Sequence, residues 1–372
     1  MKNAEHRIFR AITASALLFS IAANLPAQSL TLLFAGDAMQ HQRQIDNALR
    51  NGKYDYSCYF QYLKNEISAA DLAFVNLEVA LAGKPYAGYP RFSAPDEFAV
   101  ALKEAGFDVF LLANNHILDR FTSGLIRTAN VLDSLQDART GAFKDDEDYQ
   151  NNNPLIIESK GFRLAVLNYT YGTNGYKATP PARINLIDRG QILSDIKKAK
   201  AFSPDAIIAV MHWGIEYKLH PNAEQKSLAM FLADAGVDLI IGSHPHVVQP
   251  SEVFADSFGR KHAVVYSLGN LVSAMYLENS VGGQLIKIIL DKTDGRTEIK
   301  SCQYSLFYVH QKKADSKTDF IITPISLAET PNPVIDLDSV SYRQMTLFAE
   351  NARALFDECN NGVEEYFLEN PF

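Results

Sequence analysis

Histidine, carboxylate and amide side chains recur in this 372-residue sequence directly after short apolar runs. His244 and His246 flank Pro245 just beyond the apolar run 237–241. The other polar residues in such positions are Asp37, His41, Asn76, Glu78, Asn114, Asn115, His116, Asp119, His212, Glu216 and Asn270. Imidazole, carboxylate and amide groups all bind divalent cations, and imidazole also exchanges a proton near neutral pH. These residue types predict a cation site with a proton-transferring group beside it.

The apolar runs themselves predict the strands of an α/β protein. They cover residues 30–35, 72–75, 109–113, 164–167, 206–211, 237–241 and 263–266. Amphipathic patterns lie between them at 96–106, 189–202 and 227–236, and two of these end in glycine, a helix-stop signal. Continuous apolar strands that alternate with helices are typical of sheets covered by helices. Because ligands bind at the carboxyl ends of strands in open α/β sheets, we expect several strand ends to deliver donors to one rim.

Each motif taken alone also has a structural interpretation. A single histidine at a strand end is usually held by hydrogen bonds, and an Asp after Gly is usually a turn residue or a helix N-cap. Segment 114–116 can be a turn, and segment 244–246 a surface loop. Taken together, however, four of the nine histidines lie at predicted strand ends beside an Asp, a Glu and an Asn. We interpret four other histidines as structural or solvated, namely His6, His220, His262 and His310. We expect His310 to lie in a polar turn.

A mixed shell of imidazole, carboxylate and amide groups also limits the metal. Without thiolate ligands it favours Zn, Mn or Fe and argues against a structural zinc–cysteine site. Such a shell leaves positions for water, whose pKa a bound metal lowers.

The N-terminal residues predict export. Residues 1–27 combine a basic leader with a short apolar stretch at 11–23, which is typical of a secretory signal peptide cleaved near Ala27 or Gln28. The apolar stretch is too short to span a bilayer, and no cysteine follows it for lipid attachment. We therefore expect a periplasmic or extracellular protein without a membrane span after cleavage.

Composition and charge narrow the classes of partner. The chain is 47% hydrophobic and 21% charged, as in globular proteins. Removing residues 1–27 takes away three bases and one acid, so the formal net charge moves from −8 to −10. An acidic chain without a Lys/Arg block is poorly suited to nucleic acid. Cys58, Cys302 and Cys359 lack metal-ligand spacing and allow at most one disulfide, whose pairing the sequence leaves open.

Two further segments shape the expected architecture. The polar, turn-rich stretch 137–154 predicts a surface loop, and residues 339–358 predict one amphipathic helix. Because the pattern changes beyond residue 322, we expect a main domain at 29–310 and a C-terminal helical extension at 311–372 that packs on it.

Seven motifs together resemble a known family. They are "FAGDAMQH", "FVNLEV", "RFSAPDEFAVALKEAGFDVFLLANNHILD", "VLNYTYG", "VMHWGIEY", "GSHPHVVQP" and "VVYSLGNLV", spread over residues 30–276. The chain resembles the CapA-type poly-γ-glutamate capsule synthesis proteins (PGA_cap), which are similar to calcineurin-like metallophosphoesterases. The resemblance implies a metallophosphatase-like two-sheet sandwich flanked by helices (αββα).

The resemblance also implies roles for individual residues. The metal ligands would be Asp37, Glu78 in place of a bridging aspartate, Asn115, His212, His244 and His246. His116 matches the histidine that contacts the substrate oxyanion or protonates the leaving group. The imidazoles of 244 and 246 would then face one metal site from a loop braced by proline, which accounts for their spacing.

The first motif departs from the family pattern. The usual Asp-x-His has Met39 at its third position, and His41 follows two residues later. His41 would replace the missing ligand or reach substrate from the first helical turn. Asp119 lies three residues beyond His116 rather than adjacent to it. These departures leave open whether one or two divalent ions bind.

Three further residues are candidates for substrate binding alongside His41. Arg91 would hold a carboxylate or phosphate in a bidentate pair, or form a surface ion pair. Glu216 would orient a ligand histidine, contact a substrate amine, or act as a helix N-terminal acid. Asn270 would donate a hydrogen bond near the rim or serve as a turn residue.

The function implied is an exported, metal-dependent hydrolase or transferase of capsule or envelope polymers that acts on an amide or a phosphate ester. The alternatives are a phosphoesterase of phosphorylated small substrates and a non-catalytic scaffold for polymer binding or export. The expected partners are an anionic polymer or a phosphorylated small molecule, together with other envelope assembly proteins.

Overall fold

The structure is a computed structural model that describes residues 28–314, 316–330, 333 and 335–368. Its strands are β1 (Gln28–Ala38), β2 (Leu49–Arg50), β3 (Lys53–Tyr54), β4 (Leu72–Leu77), β5 (Val109–Leu111), β6 (Ala138–Thr140), β7 (Ala142–Phe143), β8 (Leu155–Ser159), β9 (Phe162–Thr170), β10 (Arg183–Ile184), β11 (Ala206–His212), β12 (Leu239–Ser243), β13 (Ser251–Ala255), β14 (Lys261–Val265), β15 (Asn270–Val272), β16 (Gly282–Thr293), β17 (Arg296–Ala314), β18 (Lys317–Pro324) and β19 (Glu364–Glu365). Its helices are α1 (Gln42–Ala48), α2 (Lys64–Ala69), α3 (Asp96–Ala105), α4 (Phe121–Ser134), α5 (Asp146–Asn152), α6 (Arg189–Ala201), α7 (Ala223–Asp234), α8 (Ile325–Ala328) and α9 (Ser339–Cys359). The predicted signal peptide, residues 1–27, lies outside the described residues.

The larger sheet is mixed and has the order β18-β17-β16-β1-β4-β5-β6, with β15 joined to β1 and β19 to β17. Strands β1, β4, β5, β6 and β15 run parallel, whereas β16, β17 and β18 form an antiparallel ribbon at one side. The carboxyl ends of β1, β4 and β5 therefore meet at one edge of this sheet.

The smaller sheet has the order β13-β14-β12-β11-β9-β8. Its four central strands, β9, β11, β12 and β14, are parallel, and the edge strands β8 and β13 pair antiparallel with their neighbours. The carboxyl ends of β11 and β12 form the corresponding edge of the second sheet.

Both faces of the central strands are buried, which explains their continuous apolar sequences. In β1, Leu32 and Phe34 enter the core between the sheets, while Leu33 and Ala35 enter the core on the outer face. Helices α1 to α4 supply residues to that outer core, and α6 and α7 cover the outer face of the smaller sheet. The two-sheet sandwich flanked by helices is therefore confirmed.

Most predicted elements are confirmed. Each of the seven apolar runs lies on a strand, namely β1, β4, β5, β9, β11, β12 and β14, and the predicted helices correspond to α3, α6, α7 and α9. Helix α3 ends at Gly106, whose φ of 111° is the left-handed conformation that glycine supplies at a helix C-terminus. All three cysteines have free thiols.

Two local predictions are wrong. Segment 137–154 contains β6, β7 and α5 rather than a loop. Its buried Arg139 forms ion pairs with Asp133 and Asp148, so these charged side chains have partners inside the fold. His310 lies buried within β17 rather than in a turn. Apolar side chains on the same face of this strand pack into the core, although the sequence around His310 is polar.

The C-terminal residues join the main body in two ways. The boundary expected at residue 310 falls inside β17, whose pairing with β18 extends the larger sheet. Helix α9 begins at Asp338, whose side chain accepts hydrogen bonds from the backbone N–H groups of Val340 and Ser341. Its Phe356 packs 4.7 Å from the ring of Tyr304 in the core between the sheets. No helix among the described residues is long and apolar enough to cross a membrane.

Gly36 offers a test of how closely β1 approaches the segment before β15. A Cβ at this position would lie 2.0 Å from the carbonyl oxygen of Gly269, which accepts the N–H of Asp37. We expect Gly36→Ala to lower the free energy of unfolding by about 3 kcal/mol, because a backbone atom must move to admit the methyl group.

Gly172→Ala is the matched control, since nothing lies within 4 Å of the added Cβ. Its stability in denaturant unfolding should stay within about 0.5 kcal/mol of wild type. Equal stabilities for the two variants would contradict the close approach.

Candidate metal centre

Residues from both sheets converge where the parallel strands end. Asp37 lies near the end of β1, Glu78 directly follows β4, and His212 ends β11. His244 and His246 follow β12. Their side chains, together with Asn115, are at most 3% exposed, so a polar cluster is buried between the sheet edges.

Glu78 is the least satisfied residue of this cluster. It is fully buried, and neither carboxylate oxygen has a hydrogen-bond partner among the described residues. Its Oε1 lies 3.5 Å from Nε2 of His212 and 3.9 Å from Nε2 of His246. Burial, and then the charge of Asp37, raises the pKa of Glu78 well above its ordinary value. The site thus holds a carboxyl group that requires either a proton or a cation.

Asp37, in contrast, is well held. Its Oδ1 accepts a hydrogen bond from Nδ2 of Asn76 at 2.7 Å, and its Oδ2 lies 3.1 Å from Nδ1 of His246. The backbone N–H of His244 also approaches Oδ2, at 3.3 Å. These contacts fix the carboxylate in the direction of the histidines.

Two of the three histidines, His212 and His244, are strongly shifted toward the neutral imidazole form. Burial lowers the pKa of His244 to about 3, and it lowers the pKa of His212 well below the ordinary value. Repulsion from the charges of neighbouring histidines lowers both pKa values further. Neutral imidazoles keep a lone pair on one nitrogen, which is the form that binds metal.

Neighbouring side chains orient these rings. Nδ1 of His246 lies 3.0 Å from Oδ1 of Asn270, and Nδ1 of His212 lies 3.0 Å from Oγ of Ser243. When each Nδ1–H donates to that oxygen, each Nε2 presents its lone pair toward Glu78. Nδ1 of His244 is buried and has no partner among the described residues.

The loop that carries His244 and His246 has an unusual backbone. Both residues have positive φ angles, 100° and 58°, a region that residues with a Cβ rarely adopt. Such conformations cost on the order of 1–3 kcal/mol each and tend to occur at functional sites. Pro245 lies between them, and its carbonyl accepts the backbone N–H of Tyr217 at 2.8 Å. The loop is therefore held in a form that brings both imidazoles to the same cluster.

Asn115 and His116 approach from the end of β5. Oδ1 of Asn115 lies 2.9 Å from Nε2 of His212. Nδ1 of His116 lies 2.8 Å from Oδ2 of Asp119, which also accepts the backbone N–H of Phe92. The ring of Phe92 packs edge-on against His116 at 4.7 Å. Asp119 thus fixes the ring of His116 and directs the opposite nitrogen, Nε2, away from the carboxylate.

His41 lies beside this group. It is the N-cap of α1, and its Nδ1 accepts the backbone N–H of Ala274 at 3.3 Å. Burial lowers its pKa to about 4, with the charges of His246 and His116 contributing. It therefore shares the electrostatic environment of the cluster.

The remaining substrate-binding candidates take different positions. Nε of Arg91 donates to the carbonyl of Asp119, and its guanidinium lies 4.8 Å from the centre of the Phe121 ring. Arg91 forms no ion pair with any described carboxylate. Glu216 is exposed in the turn before α7, near enough to raise the pKa of Glu78 through its charge. Asn270 is fully buried behind His246 and orients it rather than facing the rim.

Several residues contribute to the site although the family resemblance gave them no role in it. Asn114 connects the strands, since its Nδ2 donates to the side chain of Asn76 and to the carbonyl of Leu77. Tyr171 packs its ring 4.5 Å from that of His244 and is about half exposed. The strand-end position of Asn76 and Asn114 is a sequence signal, whereas nothing in the sequence distinguishes Tyr171 or Ser243.

Two groups of donor atoms are compact enough to hold a cation. In one, Asp37, Glu78 and His212 place their ligand atoms within 4.8 Å of one another, and in the other Glu78 joins His244 and His246. Glu78 is common to both groups. The oxygen and imidazole donors suit Zn, Mn or Fe, and the unpartnered atoms of Glu78 and His244 are the ones a cation would satisfy.

The sequence of residues 31–275 matches the family described as "Bacterial capsule synthesis protein PGA_cap". The chain belongs to this family. Its similarity extends to the capsule biosynthesis protein CapA of Bacillus anthracis, with 30% identity over 66% of this chain and 60% of the relative. It also extends to the PGA biosynthesis protein CapA of Bacillus subtilis, with 29% identity over 86% of this chain and 77% of the relative. The first of these matches thus spans less than two thirds of the relative's length.

Among solved structures, the calcineurin-like phosphoesterase YfkN of Bacillus subtilis is similar at a TM-score of 0.41 and 14% identity. The similarity covers 88% of this chain and 98% of that one.

Glu78→Gln tests the energetic state of the buried carboxyl group. In the presence of chelator we expect its free energy of unfolding to equal or exceed that of wild type, because the amide removes a charge that burial disfavours. Added Mn²⁺ at about 100 times its Kd should stabilise the wild type by about 2.7 kcal/mol and leave the variant unchanged.

Glu104→Gln, at an exposed residue of α3, is the control and should respond to Mn²⁺ as wild type does. A large loss of stability for Glu78→Gln in chelator would show that the carboxylate already has a strong partner.

Proposed function

We propose that this chain is a metal-dependent hydrolase or transferase that acts on an amide or phosphate ester bond in capsule or envelope polymer metabolism. The observation that carries the proposal is the fully buried Glu78, whose carboxylate has no hydrogen-bond partner in the described part of the chain and belongs to both candidate ligand groups. The family and the printed functions of the two Bacillus relatives support the polymer as the substrate class.

Asp37, Glu78, Asn115, His212, His244 and His246 would hold one or two divalent ions of Mn, Fe or Zn. A bound ion would polarise the scissile bond and lower the pKa of a bound water. Because Glu78 belongs to both donor groups, its two carboxylate oxygens could serve two ions as well as one.

His116 would act as the general acid. Its Nδ1–H would donate to Asp119, which holds the ring in place, and Nε2 would then be the atom that carries a proton to the leaving group. Phe92 fixes both partners, through its backbone N–H to Asp119 and its ring against His116.

Arg91 would bind an anionic group of the substrate. Its guanidinium is positioned by the Asp119 carbonyl and by the ring of Phe121, so binding would require little further ordering. Glu216 and His41 would contact the substrate at the rim, and Asn270 would act through His246.

We also propose that the protein is exported to the periplasm or the cell exterior by its N-terminal leader and meets its polymer and any envelope partners there. The composition of the leader supports this location.

The metal content of the purified protein tests the site. We expect Mn, Fe or Zn by elemental analysis, and we expect its loss from the double variant His244→Ala/His246→Ala, which removes both loop imidazoles. His220→Ala, at an exposed histidine outside the cluster, should keep its metal. Unchanged metal in the double variant would refute the ligand assignment.

Kinetics test the role of His116. With a turned-over substrate, His116→Gln should lower kcat by about 10²–10⁴-fold while metal content stays unchanged, because general acid catalysis contributes that much. Asp119→Asn should also lower kcat, since the ring of His116 loses the carboxylate that orients it.

The substrate panel for this experiment contains an aryl phosphate ester and a γ-glutamyl amide. Chelator-sensitive turnover of the ester alone would favour a phosphoesterase of other substrates. Turnover of neither compound by metal-loaded protein would favour a non-catalytic polymer-binding role.

A further inference from the structure

A cleft of about 610 Å³ lies between β17 and the first turns of α9. Its floor includes Tyr308 and His310 of β17, and Ser341 and Gln344 of α9 form the opposite wall. The hydroxyl of Tyr308 donates to Oε1 of Gln344 at 3.1 Å and links the two walls. Because both walls belong to packed elements, the cleft is part of the folded body rather than of a loose tail.

One end of the cleft adjoins the candidate metal centre through the segment 273–276. The backbone N–H of Ala274 donates to His41, and the sulfur of Met275 lies 3.4 Å from Nδ2 of Asn270. On the other side, the carbonyl of Met275 accepts Nε2 of Gln311 in β17 at 3.5 Å. The same few residues therefore border both the metal centre and the cleft.

Tyr276 marks the passage between them. Its side chain is 82% exposed and lines the cleft. Its chain neighbour Met275 contacts both Asn270 and Gln311, so Tyr276 lies where the cleft meets the segment beside the metal centre.

The charges of the cleft are distributed unevenly. Lys312 and Lys313 are exposed, line the cleft and form no ion pair with any described residue. Two acids lie opposite, but the carboxylate of Asp338 is engaged by the first turn of α9. This leaves Asp336, which is exposed and has no ion-pair partner in the described part of the chain.

His310 adds an unsatisfied polar atom at the base. Its side chain is 2% exposed, and Nδ1 has no hydrogen-bond partner among the described residues. A buried imidazole nitrogen without a partner is costly, and a ligand or ordered water in the cleft would relieve that cost.

We propose that this cleft is a subsite that binds a carboxylate-bearing polyamide chain and leads it past Tyr276 to the metal centre. The proposal rests on the proposed function and adds a place where the polymer is held away from the reacting bond. Carboxylates of the chain pair with Lys312 and Lys313, and an amide N–H donates to Asp336. A polyphosphate offers no N–H donor for this acid and is the less suitable ligand.

Binding of poly-γ-glutamate to the full metal-loaded protein tests this subsite. We expect Lys312→Glu/Lys313→Glu to weaken the affinity in isothermal titration calorimetry by about tenfold, since two ion pairs are replaced by repulsions. The loss should shrink at high salt, because these charges are exposed.

The control pair Lys64→Glu/Lys197→Glu changes the net charge equally at exposed positions of α2 and α6. It should bind the polymer within about twofold of wild type, and both pairs should keep the metal content and the turnover of the small substrate. An equal loss of polymer affinity in the two double variants would show that only net charge matters and would overturn the subsite. Unchanged affinity of Lys312→Glu/Lys313→Glu would overturn it as well.

Two further outcomes separate the claims. Polyphosphate that binds as tightly as the polyamide, and is weakened equally by the cleft variant, would overturn the ligand class. Polymer binding that depends on the two lysines in a protein without metal-dependent turnover would refute the proposed catalysis and leave the subsite intact.

Discussion

The structure depends on a buried carboxyl group that no hydrogen bond from residues 28–314, 316–330, 333 or 335–368 satisfies. Glu78 is enclosed at the edges of two sheets, beside the second carboxylate of Asp37 and three buried imidazoles. Leaving such a group without a partner costs free energy, so its retention indicates a function that the fold is built to support. A divalent cation satisfies the carboxylates and the imidazoles at the same time.

The surrounding strands and loop place further cation ligands around Glu78. Parallel strands from both sheets end at the same place, which brings residues distant in sequence within reach of one ion. The left-handed conformations of His244 and His246 add a local cost in order to bring both rings to the cluster. Asn76, Ser243 and Asn270 then hold Asp37 and the histidines in orientation. The site is therefore positioned by packed strands and a constrained loop rather than by mobile segments.

The sequence was sufficient to predict seven of the parallel strands of the two sheets, because continuous apolar runs and glycine stops are local signals. It also indicated the polar residues at strand ends, and the structure brings Asp37, Glu78, Asn115 and the three histidines together. It could not predict β17, where His310 is buried in a polar stretch, or α5, where ion pairs of Arg139 replace apolar burial. The positions of Tyr171 and of the cleft beside α9 arise from tertiary contacts between distant segments, which no local pattern encodes.

Anomalous X-ray diffraction from crystals of the metal-loaded protein, recorded at the absorption edge of the ion found by elemental analysis, tests the central claim most directly. The account predicts anomalous density within bonding distance of Glu78, with ligands from Asp37 and His212 or from His244 and His246. Anomalous density elsewhere, with Glu78 hydrogen-bonded only to protein or water, would contradict it.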